Sequence, residues 1–112
     1  MEDWAENAGF AVTICGRDGT ITYMNAGSRK TFKKYGGGEL VGRSLLDCHP
    51  EPARSKLRAM LEQPAVNAYT IEKAGVKKLI YQAPLVKDGG ISGLVELSLE
   101  LPAEMPHFVR KP

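Results

Sequence analysis

The sequence predicts an α+β fold, an antiparallel sheet covered on one face by short helices. Two observations carry the prediction: strand-like runs come in pairs at both ends of the chain, and the helical patterns are grouped between them. A third sets the scale, since 112 residues with 43% apolar content suit one compact core and are too few for two.

In chain order, residues 2–8 read as a short polar helix carrying Trp4, ended by Asn7 and Gly9. Trp4 is expected to pack on the sheet edge or against a partner chain. Residues 11–15 and 20–24 are rich in β-branched and aromatic side chains and are separated by GRDG, a turn signature, so they form a hairpin. Asn25 follows at once and suits a helix cap, because its side chain can accept from the free N–H groups of the first turn. The helix is expected over 26–35, with Phe32 and Tyr35 inward; its basic residues, Arg29, Lys30, Lys33 and Lys34, line the solvent side. Gly36, Gly37 and Gly38 break it and read as a hinge.

Residues 39–46 read as a helical turn with Leu40, Val41, Leu45 and Leu46 inward. The stretch 42–61, GRSLLDCHPEPARSKLRAML, then organises the rest of the domain. From Pro50 onward Ala53, Leu57, Met60 and Leu61 share one helical stripe, while Arg54, Lys56, Arg58 and Glu62 face water. Pro50 and Pro52 suit the first turn, where a missing N–H costs little. Three strands follow, over 67–73, 77–84 and 93–101. In the last, Val95, Leu97, Leu99 and Leu101 alternate with Glu96, Ser98 and Glu100, which predicts one buried face and one wet or partner-facing face.

Composition excludes several classes of function. The 15 Lys and Arg against 13 Asp and Glu leave no field that would draw nucleic acid or a membrane surface. Cys15 and Cys48 stand far apart, without the spacing of a zinc site or a disulfide framework. The acidic start lacks a secretory signal and no run reaches membrane-spanning length, so a cytoplasmic protein is expected. No nucleophile elbow, metal-spaced His pair or phosphate loop is present, and a non-enzymatic role follows.

AVTICGRDGTITYMN with its capping Asn25, then GGGELVGRSLLDCHPEP with Glu39, Leu40, Gly42, His49 and Pro50, and finally GLVELSLEL, occur in the order and spacing of a PAS domain, which the chain resembles over about residues 10–101. The resemblance implies a five-stranded sheet in the order 2-1-5-4-3, with helices enclosing a small cavity, and a role in sensing, ligand binding or dimerisation. It also implies a division into an N-terminal helical segment, 1–9, the domain, 10–101, and a tail, 102–112. Light-sensing flavin members place a reactive Cys where Leu45 stands, and haem members place an iron-ligating His where Leu57 stands. Both departures argue against those cofactors, and no cofactor is named. Pro102 and Pro106 argue against a continuing coiled coil.

The residues expected at a ligand site are Leu45, Cys48, His49, Leu57, Met60, Tyr69 and Tyr81. His49 can serve as a titrating group or simply bond nearby backbone; Cys48 can be a reactive thiol or a small buried hydrophobe. Tyr69 and Ile71 face one side of their strand and Thr70 the other. The expected function is a sensory module that binds a small molecule and signals through a homodimer or a partner protein. A ligand-free docking module is the alternative.

Overall fold

Turn chemistry opens the sheet. In the computed structural model, which describes residues 3–63 and 65–112, β1 (Ala11–Gly16) and β2 (Ile21–Met24) are joined through Arg17 and Asp18, and Asp18 accepts from Thr20 N across the turn. A helix α1 (Asp3–Glu6) precedes them, shorter than the 2–8 expected; residue 2 lies outside the described residues. Trp4 does not pack on the sheet edge, being 64% exposed.

Asn25 caps α2 (Ala26–Thr31), its side chain accepting from Ser28 N. The helix stops at Thr31 and continues only as a 3-10 turn, Lys33–Tyr35, so that Phe32 packs on the core while Tyr35 points outward. The chain reverses at Gly36 and Gly37, with φ of 123° and 55°, a region where a side chain would be strained. Two further 3-10 turns, Gly37–Leu40 and Leu45–Cys48, replace the single turn expected over 39–46; Leu40 and Leu45 are buried and Val41 is exposed. Then comes α3 (Ala53–Glu62), with Pro52 at its N-cap position and no side-chain cap, and with Leu57, Met60 and Leu61 on its buried stripe.

The remaining strands, β3 (Asn67–Lys73), β4 (Val76–Lys87) and β5 (Gly90–Glu100), form antiparallel pairs and complete a five-stranded sheet in the order β2-β1-β5-β4-β3. Central strand β5 lies so close to β1 at Gly93 that a Cβ there would collide with the Cys15 carbonyl oxygen. No helix among the described residues is long and apolar enough to cross a membrane.

Register decides which side chains the helices cover. Thr13 pairs with Glu96 and Cys15 with Leu94, and Cys15 and Leu94 belong to the core with Ile21, Met24, Leu40, Leu45, Leu57, Met60 and Leu61. Alternation along β5 therefore sends Glu96 and Ser98 inward with Leu94, and sends Val95, Leu97 and Leu99 to the uncovered face. The assignment is the reverse of what hydrophobic alternation in the sequence suggests. The inner face accepts polar residues because they satisfy one another, as described next.

Candidate functional site

The inner face of the sheet changes character row by row along the strands. At one end lie Cys15 and Leu94, dry and packed against the helices. In the next row Asn67 pairs with Gln82, Gln82 with Glu96 and Glu96 with Thr13, which sets four polar residues side by side across four strands. Beyond them come Tyr69, Ile80, Ser98 and Ala11, and then Ile71 and Lys78.

Hydrogen bonds join three members of the polar row into a single network. Asn67 Nδ2 donates to Gln82 Oε1 at 2.9 Å, and Gln82 Nε2 donates to Glu96 Oε1 at 2.7 Å. From the helical side His49, the residue that ends the 3-10 turn, brings Nε2 to 3.1 Å from the same Glu96 oxygen. Its Nδ1 lies 2.9 Å from Leu45 O, and since a carbonyl only accepts, Nδ1 donates. Thr13 is taken up separately by the Ser28 hydroxyl. The His49 and Glu96 side chains are 9% and 8% exposed. Burial opposes charge on His49, but the hydrogen bond to Glu96, its negative charge and the Leu45 carbonyl outweigh that cost, and the imidazole pKa is raised above its usual 6.5. Burial, then the Glu96 charge, pushes the Tyr69 phenol up as well.

Past this network the helices and the sheet part. A cavity of about 260 Å³ lies over the next rows. Phe32, Pro50, Ala53, Tyr69, Ile71 and Ile80 form its apolar walls; Glu96 and His49 stand on one side, with Thr31, Ser98 and Lys78 the other polar contributors. Each wall has a local cause: the end of α2 supplies Phe32, the link into α3 supplies Pro50 and Ala53, and strand alternation aims Tyr69 and Ile71 inward. A shallower groove of about 310 Å³ continues past Pro50 and Tyr69 toward Lys56.

Of the residues expected at a ligand site, the structure brings His49 and Tyr69 together on this cavity. Leu45, Leu57 and Met60 lie in the packed core, because the stripe of α3 and the 3-10 turn before it press on the Leu94 end of the sheet. Tyr81 is on the opposite face, 38% exposed, since its partner Leu97 is on the outer side of β5. The side chain of Cys48 lies outside the described residues. Sequence reasoning missed Glu96. The available signal was the odd number of steps between Glu96 and the apolar Val95, Leu97 and Leu99, but nothing local says which parity the helices cover. Among the described residues no group of His, Cys, Asp and Glu is placed to hold a metal.

Comparison with known proteins gives a family and a set of structural relatives. A family model described as PAS fold matches residues 5–101. The sequence matches none of the curated proteins with which it was compared. Among solved structures, the Aer2 receptor from Vibrio cholerae, described as a dual PAS-heme oxygen sensor, is similar with a TM-score of 0.64 at 12% identity, over 83% of this chain and 95% of that one. A sensory box sensor histidine kinase from Vibrio cholerae is similar with a TM-score of 0.63 at 16% identity, over 91% and 89%. The PAS domain of an HTR-like protein from Haloarcula marismortui has a TM-score of 0.61 at 16% identity, over 88% and 86%.

Proposed function

From the premise that this chain belongs to the PAS family, a sensory domain of signalling proteins, we propose that it is a non-enzymatic, cytoplasmic sensor module that binds a small molecule between its helices and its sheet. The observation that carries the reading is the cavity beside the buried His49/Glu96 pair. A concave, mostly apolar space with a few convergent polar groups is the usual make-up of a small-molecule site. Its walls also suit signalling. Ala53 begins α3, Pro50 lies in the link before it, and His49 ends the turn that follows the glycine-rich reversal, so an occupant that displaces them shifts the whole helical cover over the sheet. The shift is passed on through a homodimer or a partner signalling protein.

A second reading draws on the other side of the sheet. Leu79, Val95, Leu97 and Leu99 are only partly buried there and Tyr81 is exposed, an apolar face of the kind that marks association surfaces. On that reading the domain docks without a ligand. Native mass spectrometry of the protein purified from its own host, with an absorbance spectrum of the same sample, separates the two. A stoichiometric added mass supports the sensor reading, and an unliganded dimer overturns it in favour of docking.

A further inference from the structure

Glu96 uses only half of its bonding capacity. Oε1 takes both donors, Gln82 Nε2 and His49 Nε2, whereas no hydrogen bond among the described residues reaches Oε2. A buried carboxylate oxygen without a donor is costly, and such groups call for an explanation. No fully enclosed side-chain N or O among the described residues lacks a partner, so Oε2 keeps some open surface although its side chain is 92% buried. The cavity is the opening available to it, because Glu96 is one of the cavity's walls.

What Oε2 faces determines what it selects. An ionised carboxylate accepts and cannot donate. The neighbouring imidazole offers no free donor either, since Nδ1 is committed to Leu45 O and Nε2 to Glu96 Oε1. The cationic wall residue, Lys78, stands on β4 four residues from Gln82, roughly 13 Å along the strand, at the far end of the cavity. The Glu96 end therefore offers a carboxylate acceptor among Tyr69, Ile80 and Phe32, and the Tyr69 and Ser98 hydroxyls are the wall groups near it that can donate as well as accept. Size narrows the class further. A cavity of about 150 Å³ is enough for benzene, so the cavity proper, about 260 Å³, takes one ring with short substituents, and anything larger runs out into the groove past Pro50 and Tyr69.

Resting on the reading of the cavity as a ligand site, we propose that its ligand is a compact, single-ring-sized apolar molecule carrying one hydrogen-bond donor, a hydroxyl or N–H, which it delivers to Oε2 of Glu96. A molecule of the same shape without the donor would displace water from Oε2 and give nothing back, the arrangement by which buried acceptors reject analogues most strongly. A carboxylate brought to the same end meets like charge.

The test is an amide NMR titration of the full chain with four probes of similar size: phenol, anisole, toluene and benzoate. Phenol is expected to shift the amides of Tyr69, Ile80, Glu96 and Ser98, and to bind at least about tenfold more tightly than toluene or anisole, a difference of about 1.4 kcal/mol. Glu96→Gln is expected to erase that ratio, because its amide can turn a donor toward the cavity. Equal binding of phenol and toluene by the wild-type protein overturns the proposal and leaves the cavity reading standing. So does a preference for benzoate, or a Glu96→Gln protein that keeps the tenfold ratio. Failure of all four probes to move those amides overturns both. Should Glu96→Gln fail to fold, the wild-type ratio decides alone.

Discussion

Asn25 and Glu96 are both buried polar residues at the heart of this domain, and they differ in how completely they are used. Asn25 is wholly inaccessible and spends everything it has. Its Oδ1 accepts from Val12 N and Ser28 N, both at 2.8 Å, and its Nδ2 donates to Ala5 O at 2.7 Å and Phe10 O at 2.9 Å. Four bonds tie α1, β1 and α2 to one side chain, and nothing is left for a ligand. Glu96 accepts two bonds on one oxygen and, among the described residues, none on the other, and it walls a cavity. A saturated polar centre fixes geometry, whereas an unsaturated one keeps the capacity to recognise something else.

Breaking the saturated centre has the larger expected effect on stability. Asn25→Ala leaves the buried Val12 and Ser28 N–H groups without acceptors and is expected to cost about 3 kcal/mol, at 1–3 kcal/mol for each group orphaned. Urea unfolding followed by circular dichroism measures it, and a loss below about 1 kcal/mol would mean that the cap is not what joins the N-terminal segments. Glu96→Leu strips one acceptor from Gln82 and His49 together, with an expected cost of about 2 kcal/mol by the same measurement.

The pairing also carries a pH signature that Asn25 lacks. The folded pKa of His49 is held above 6.5, so its contribution to stability is fully present below about pH 6.5 and is lost as pH rises through the folded value. Wild-type unfolding free energy should fall across that window, and the fall should be absent from His49→Gln. Ring-proton NMR of His49 gives the midpoint, and a midpoint below 6.5 would contradict the pairing. The smallest effect is expected at the edge of the network, where Asn67→Ala removes a single part-buried bond to Gln82, about 0.5–1 kcal/mol, and leaves the His49 titration in place.

The outer and inner faces of β5 show where local reasoning stopped. Val95, Leu97 and Leu99 look like the core of the strand, and a rule that buries apolar residues places them under the helices. They lie on the uncovered face instead, and Tyr81 lies there with them. His49 and Tyr69 were legible as candidates because one stands in an irregular segment before a helix and the other on a readable strand. Leu45, Leu57 and Met60 were legible as inward-facing, but inward covers both a dry core and a cavity, and only the packing of α3 against the Leu94 row separates the two.

What the sequence by itself determined is whatever depends on neighbours a few residues apart. The turn through Asp18, the cap at Asn25, the helix break at the glycines, the stripe of α3 and the order of elements all belong to this group, because hydrogen bonds and periodicity act over one to four residues. The site belongs to the other group. Asn67, Gln82 and Glu96 stand 15 and 14 residues apart, and His49 meets Glu96 across 47. Strand register and the landing of one 3-10 turn bring them together, and a shift of one residue in β5 would exchange Glu96 for Leu97 and leave no site at all.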